Sequence, residues 1–148
     1  MQIIKKILFT LLSAVIIQCS FGQILDPVKF AYNTIKKGNN QYEVHIKTLV
    51  DPKWHIYSVS NPDGGAIPTS MSFINATKIG KAKEIGKLKT IFEKEFNVDQ
   101  KFYEDKVEFV QLVKLLPGNK KITGNIEYMA CNDRQCLPPK KTSFEIPF

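Results

Sequence analysis

Two cysteines near the C-terminal end of the chain carry the clearest chemistry in the sequence. Cys131 and Cys136 lie in the segment YMACNDRQCLPP, residues 128–139, and four residues separate them. If this segment forms a hairpin, the two Cα atoms approach to the roughly 4.4–6.8 Å that a disulfide requires. Such a pair can form an inert structural disulfide, here called a staple, or it can exchange electrons with other proteins. The spacing alone leaves both interpretations open.

The energetics of a disulfide at this spacing argue against a staple without excluding it. Closing a six-residue loop stabilises a protein by only about 2 kcal/mol, and a hairpin already closes that loop. The pair also differs from the C-x-x-C motif of thioredoxins, and Pro138 and Pro139 prevent a helix from following the second cysteine in the usual way. We therefore expect no thiolate stabilised by a helix N-terminus, so any activation must come from neighbouring side chains.

A zinc site is a further alternative, because Cys131, Cys136, His45 and His55 could supply four ligands. His45, however, falls on the polar face of a predicted strand, where a solvated histidine is the ordinary case. The spacing of the two histidines matches no zinc-finger pattern, and exported proteins seldom keep thiols for zinc. We therefore expect no metal.

Residues 1–22 have the pattern of a secretory signal peptide. Two lysines are followed by an apolar run at residues 7–17, shorter than the roughly 20 residues that span a bilayer. The sequence SFG then presents small residues at the two positions that a signal peptidase reads, so we expect cleavage before Gln23. The exported chain, residues 23–148, has the length of one domain and no second apolar run of spanning length.

Export also determines the expected state of the cysteines. Cys19 leaves with the signal peptide, and a lipid anchor on Cys19 is disfavoured because Gln18 stands where a small residue is usual. Two cysteines, an even number, then remain in a periplasmic or secreted protein. Since such compartments are oxidising, we expect a disulfide between Cys131 and Cys136.

The chain is basic but lacks the composition of a nucleic-acid-binding protein. Its formal net charge is +7, and removal of Lys5 and Lys6 with the signal lowers it to +5. Of the 21 basic residues only Arg134 is an arginine, and the lysines are spread along the chain. Nucleic-acid-binding proteins more often cluster arginines among aromatic residues. We interpret the charge as a solvated surface and expect no nucleic-acid partner.

The exported chain has the pattern of an all-β protein. Residues 41–50 alternate, with Tyr42, Val44 and Ile46 on one face and polar side chains on the other. Further strands are predicted at 54–59, 69–74, 106–115, 122–129 and 142–146. Residues 78–89 are charged and broken by glycine, and they fit a strand, a loop or a short helix. About seven short strands without a convincing amphipathic helix predict an immunoglobulin-like antiparallel β-sandwich.

Three sequence blocks together resemble a known family. The segment YMACNDRQCLPP, preceded by KWHIYS at residues 53–58 and GGAIPT at residues 64–69, resembles the N-terminal periplasmic domain of DsbD-type thiol:disulfide interchange proteins. The resemblance covers nearly all of residues 23–148, and the C-N-D-x-Q-C-L-P-P block is its specific part. It implies an immunoglobulin-like fold with a cysteine pair on a hairpin.

The resemblance implies a redox relay of the protein-disulfide reductase type. Family domains accept electrons from a thioredoxin-like domain and pass them to periplasmic disulfide isomerases and cytochrome-maturation thioredoxins. By match to the hairpin, Cys136 forms the mixed disulfide with partners and Cys131 resolves it. The chemistry is exchange between sulfur atoms, so no cofactor is expected.

The resemblance also implies residues around the cysteines. Glu95 and Phe96 fall where the family has a cap loop whose phenylalanine covers the cysteines, although Asn97 follows where the family has tyrosine. The alternative is that Phe96 packs in the core or at a strand edge. His55 and Tyr57 fall where the family places polar aromatic residues near the site. The alternative is a surface histidine and a half-buried tyrosine.

A departure from the family concerns the electron donor. Full family members continue into a membrane domain and a thioredoxin-like domain, whereas this sequence ends at Phe148. We therefore expect the donor to be a separate protein. A rival function of a different class is a noncatalytic binding or structural domain in which the hairpin disulfide is inert.

Overall fold

The computed structural model describes residues 25–94 and 97–147, and this part of the chain folds into eleven β-strands. The strands are β1 (Val28–Gly38), β2 (Gln41–Val50), β3 (His55–Tyr57), β4 (Ser70–Phe73), β5 (Ala76–Gly86), β6 (Lys89–Glu93), β7 (Val98–Tyr103), β8 (Lys106–Leu115), β9 (Lys121–Tyr128), β10 (Ala130–Cys131) and β11 (Lys140–Pro147). The expected signal peptide, residues 1–22, and the expected cap residues Glu95 and Phe96 lie outside the described residues. Within the described ranges, no helix is long and apolar enough to cross a membrane.

One layer of the fold is a four-stranded antiparallel sheet in the order β1-β2-β8-β5. The alternation predicted for β2 is confirmed, because Tyr42, Val44 and Ile46 are buried whereas Lys47 and Leu49 are exposed. A sheet that packs on a core with one face and meets solvent with the other requires this pattern.

Two smaller antiparallel sheets face that layer across the core. Their strand orders are β10-β3-β7-β6 and β11-β9-β4. The chain passes from β9 of one sheet through Met129 into β10 of the other, and the cysteine hairpin begins there. The predicted all-β, immunoglobulin-like antiparallel sandwich is therefore confirmed.

The core between the layers is built from aliphatic and aromatic side chains of all three sheets. Ile46 and Phe109 of the large sheet, Ile56 of β3, and Ile122 and Ile126 of β9 are each 0% exposed. Burying one side chain of this size stabilises a fold by about 1.5–3 kcal/mol. Since these residues lie outside the cysteine hairpin, the core supplies a stabilising term that is independent of the disulfide.

Residues 78–89, whose pattern fits a strand, a loop or a short helix, lie mostly in β5. This strand forms an edge of the large sheet, and its register shifts between Ile79 and Lys83 around Gly80, which has φ +67°. Lysines and a bulge are common on edge strands because they discourage pairing with other chains. The edge position therefore explains why this strand lacks an apolar alternation.

The remaining differences from the predicted strands are local. β1 and the β6–β7 pair were not predicted, although Phe30 and Tyr32 of β1 alternate and pack against the core. The strand predicted at 54–59 is shorter, at His55–Tyr57. The Ser58 amide still donates to the carbonyl of Lys101 on β7, whereas the Val59 amide donates to the Glu84 carboxylate of β5.

Replacement of Phe109 by alanine tests the core. Because Phe109 is fully buried, we expect Phe109→Ala to lower the free energy of unfolding by about 3–5 kcal/mol. The control is Leu49→Ala, at a site 60% exposed, which should cost less than about 0.5 kcal/mol. Urea unfolding followed by the fluorescence of Trp54 measures both, and equal losses would contradict this description of the core.

Candidate functional site

A disulfide joins Cys131 and Cys136 across the hairpin, as expected from the sequence. Their Cα atoms lie 4.0 Å apart, slightly closer than the usual range. The backbone amide of Leu137 donates to the carbonyl of Ala130 at 2.8 Å, which closes the hairpin below the cysteines. The pair is therefore held in place by backbone hydrogen bonds as well as by the sulfur bridge.

The tip of the hairpin is organised by Asn132. Its backbone amide donates to the carbonyl of Gln135, and its side-chain oxygen accepts hydrogen bonds from the amides of Arg134 and Gln135 at 2.9 Å each. An asparagine that binds the backbone two and three residues ahead forms a tight turn. The four residues between the cysteines thus form the turn that the sequence predicts.

The two cysteines differ in their access to solvent. Cys131 is 2% exposed, whereas Cys136 is exposed at the hairpin surface. Cys136 is therefore the cysteine that a protein partner reaches from solvent, and Cys131 is the enclosed one.

His55 lies beside the cysteines in a row of directly paired residues. On β3, His55 pairs with Cys131 of β10, and Cys131 in turn pairs with Cys136. Side chains of directly opposed residues in antiparallel strands lie on the same face, with Cβ atoms about 4.5–5.5 Å apart. The structure therefore brings His55 beside two cysteines that are distant from it in sequence.

Tyr57 extends this group on the same strand. His55 Nε2 and the Tyr57 hydroxyl are 3.2 Å apart, and the His55 ring lies 4.6 Å from the ring of Phe102 on β7. The two residues share a face, as predicted, while Ile56 between them enters the core. Tyr57 is buried, with 7% of its surface exposed, rather than half-buried. His55 is half-buried rather than fully at the surface.

Burial changes the protonation of both aromatic residues. It lowers the pKa of His55 below its ordinary value, an effect that Glu104 and Asp133 oppose and Lys89 reinforces. Burial also raises the pKa of the Tyr57 phenol, and Glu93 adds to that rise. His55 is therefore a neutral imidazole near neutral pH, and Tyr57 keeps its proton.

A cavity of about 290 Å³ lies beside the exposed cysteine. Its wall includes Tyr57, Gly65, Ala66, Glu93, Gln100, Met129 and Cys136. Glu93 is the last residue of β6, two positions before Glu95. The β6–β7 pair therefore reaches the cysteine site with the residues that immediately precede the expected cap.

Asn61 and Gln100 form a buried amide pair behind this cavity, which no sequence pattern predicts. The Asn61 amide donates to the carbonyl of Ala66 at 2.7 Å and to Gln100 Oε1 at 2.9 Å, and the backbone amide of Lys101 donates to Asn61 Oδ1. These bonds fix the loop 61–66 against β7. The dense turn signal of Asn-Pro-Asp-Gly-Gly marks the loop but does not identify its partner strand.

The zinc alternative does not fit the positions of the four ligands that it requires. His45 lies on β2 in the large sheet, where its Nδ1 is 2.8 Å from Glu108 Oε1. The sulfur atoms of Cys131 and Cys136 are bonded to each other. The four side chains therefore do not form one tetrahedral set in this structure.

Comparison with known proteins identifies a family across most of the chain. The family profile described as "Thiol:disulfide interchange protein DsbD, N-terminal" matches residues 22–147. No curated protein sequence matches the chain.

Solved structures with a similar arrangement include two bacterial domains. The N-terminal periplasmic domain of ScsB from Proteus mirabilis aligns with a TM-score of 0.64 and 13% identity, over 83% of this chain and 47% of that one. The chain thus spans about half the length of that structure. The DsbD N-terminal domain of Neisseria meningitidis in the reduced form aligns with a TM-score of 0.44 and 15% identity, over 80% of this chain and 85% of that one. The first alignment shows a shared fold.

Substitution of Gly65 tests the packing behind the cavity. A Cβ at position 65 would overlap the side-chain amide of Gln100, so we expect Gly65→Ala to displace that amide and to cost about 1–3 kcal/mol of stability. In a Gln100→Ala background the same change should cost much less. Urea unfolding of the four proteins measures the coupling, and additive losses would contradict it.

The lowered pKa of His55 gives a pH dependence of stability. Below a pH of about 6.5 the unfolded chain takes up a proton at His55 more readily than the folded protein does, so the folded state loses stability as the pH falls. We expect the urea midpoint of the wild type to fall relative to that of His55→Phe between neutral pH and about pH 5. A constant difference between the two proteins would contradict this protonation state.

Proposed function

The chain belongs to the family of DsbD N-terminal domains, and from that premise we propose that it is a thiol:disulfide interchange module that relays electrons through Cys131 and Cys136. The observation that carries the proposal is the unequal exposure of the two bonded cysteines. A relay needs one sulfur that a partner can reach and a second that attacks only from inside. Cys136 and Cys131 have these two positions.

The exchange proceeds in two steps that balance in sulfur, electrons and protons. The Cys136 thiolate attacks a partner disulfide, forms a mixed disulfide and expels one partner sulfur as a thiolate. The Cys131 sulfur then attacks Cys136, loses its proton and releases the second partner sulfur. The partner gains two electrons, and the hairpin becomes the disulfide seen in the structure. A thioredoxin-like donor reverses these steps to reduce the hairpin again.

The bridge is better suited to exchange than to stapling. Its six-residue loop limits its stabilising effect to about 2 kcal/mol, and the Leu137–Ala130 hydrogen bond closes the same hairpin without it. Most of the buried core lies in the strands of the sandwich, and only Ala130 and Leu137 at the base of the hairpin pack with it. Opening the bridge therefore need not unfold the domain.

The surrounding residues have supporting roles in this proposal. Glu95 and Phe96 form the cap over the cysteines, consistent with the position of Glu93 in the wall of the cavity beside Cys136. A cap would shield the sulfur atoms from small oxidants until a partner displaces it. His55 and Tyr57 form the polar aromatic group at the site.

The proposed setting is the periplasm or the extracellular space. Residues 1–22 act as the signal peptide, and residues 23–148 form the exported domain. Its partners are thioredoxin-like proteins, both the donor and the acceptors, and each contact is a transient mixed disulfide. The oxidised hairpin is consistent with such a compartment.

Single-cysteine variants test the relay directly. Cys131→Ala leaves Cys136 free to attack but removes the sulfur that resolves the product, so it should accumulate a mixed disulfide with an oxidised thioredoxin-like protein. Cys136→Ala should accumulate at least about tenfold less, because Cys131 is buried. Non-reducing electrophoresis measures both adducts.

Two outcomes would contradict the relay. If Cys136→Ala forms the adduct as well as Cys131→Ala does, the assigned roles are wrong. If neither variant forms an adduct, the bridge is an inert staple and the domain has the rival binding or structural role. Cys131→Ala/Cys136→Ala is the control for non-covalent association.

A further inference from the structure

We propose that His55 accepts the proton of the Cys131 thiol when Cys131 attacks the mixed disulfide at Cys136. This role rests on the proposed exchange function and adds a proton acceptor to it. The geometry behind the proposal is the row in which His55 pairs with Cys131 and Cys131 pairs with Cys136. His55 and Cys136 thus flank Cys131 on one face of the sheet.

The buried position of Cys131 creates the need for an internal base. A free cysteine has a pKa of about 8.5, so most of it is protonated at neutral pH, and the thiol is a far weaker nucleophile than the thiolate. Cys131 is only 2% exposed, which restricts the access of water and of buffer bases. The proton must therefore pass to a neighbouring side chain before or during the attack.

His55 has the protonation state and the free nitrogen that this role requires. Burial lowers its pKa, so the ring is neutral near neutral pH and able to accept a proton. Its Nε2 is hydrogen-bonded with the Tyr57 hydroxyl, and its Nδ1 has no hydrogen bond with a described residue. We assign Nδ1 as the atom that receives the proton, with Nε2–H donating to Tyr57.

Burial disfavours the imidazolium form of His55, and nearby carboxylates oppose this effect. Glu104, at the turn after β7, and Asp133, in the cysteine hairpin, both favour its protonated form. Lys89 of β6 opposes it and is paired with the carboxylate of Glu104, so the effects of these two charges partly cancel at His55. Phe102 of β7 adds an uncharged ring contact. The surroundings thus hold His55 neutral at rest and accommodate a transient positive charge.

The step balances in bonds, electrons and protons. The Cys131 S–H bond breaks, and its proton goes to His55 Nδ1. The electron pair left on Cys131 forms the bond to Cys136, and the bond between Cys136 and the partner sulfur breaks, with its electron pair leaving on the partner thiolate. In the reverse direction, His55 returns the proton to Cys131 as that sulfur leaves.

A two-phase thiol assay isolates this step. The reduced protein is mixed with dithiobis(nitrobenzoate), an aromatic disulfide that releases a coloured thiolate at each exchange. The first release, at Cys136, depends on reagent concentration and reports the reactivity of the exposed cysteine. The second release, by attack of Cys131, is intramolecular and independent of that concentration. Cys131→Ala should lack the second phase.

The variants are His55→Phe, which keeps a ring against Phe102, and His55→Gln, which keeps a polar group for Tyr57. Neither side chain can take up a proton. We expect both to slow the second phase at neutral pH by at least about tenfold, as removal of a general base does. Their second-phase rates should also rise about tenfold per pH unit toward the thiol pKa, whereas the wild-type rate stays nearly flat. His45→Phe, on the large sheet, is the matched control and should match the wild type.

The possible results separate this inference from the function on which it rests. If the wild type and both His55 variants share one second-phase rate and one pH profile, His55 is not the proton acceptor, although the relay stands. If the wild type shows no first phase, Cys136 is unreactive, and the exchange function fails together with this role. A slowed second phase with an unchanged first phase supports the proposal.

Discussion

The pairing of β10 with β3 is the constraint on which the whole site depends. Only two residue pairs make it, Ala130 with Ile56 and Cys131 with His55. Because Ala130 and Ile56 point into the core, the neighbouring Cys131 and His55 must point to the other face of the sheet. The turn at Asn132 then returns the chain so that Cys136 lies opposite Cys131. Core packing on one face of a short ladder thus fixes the chemistry on the other.

The fold separates stability from reactivity. Most of the apolar core side chains lie between the layers of the sandwich, whereas the cysteines, including the buried Cys131, occupy a hairpin at the edge of a small sheet. The backbone hydrogen bonds of the hairpin and the amide pair of Asn61 and Gln100 hold the walls of the site without the sulfur bridge. A disulfide in such a place can open and close while the domain stays folded, which a bridge between distant core strands could not do as readily.

The sequence predicts the parts of this structure that depend on local pattern. Alternation identifies β2 and β8, and the cysteine spacing with its polar turn identifies the hairpin, because both signals lie within a few residues. Because side chains alternate between the two faces of a strand, the sequence also places His55 and Tyr57 on one face. The position of His55 beside Cys131, and of Gln100 behind the cavity, depends on pairing between segments far apart in sequence. No local pattern encodes that pairing, so the proton acceptor becomes visible only in the fold.

The reduction potential of the Cys131–Cys136 pair tests the central claim most directly. Equilibration of the protein with a series of glutathione or dithiothreitol buffers, followed by thiol trapping, gives the potential of the bridge. Exchange proteins have potentials between about −120 and −270 mV, whereas structural disulfides typically lie below about −300 mV. The relay predicts a value in the first range with the fold retained in both redox states. A value well below −300 mV would identify the bridge as a structural disulfide and contradict the account. Each difference of about 30 mV corresponds to about 1.4 kcal/mol in the free energy of reduction.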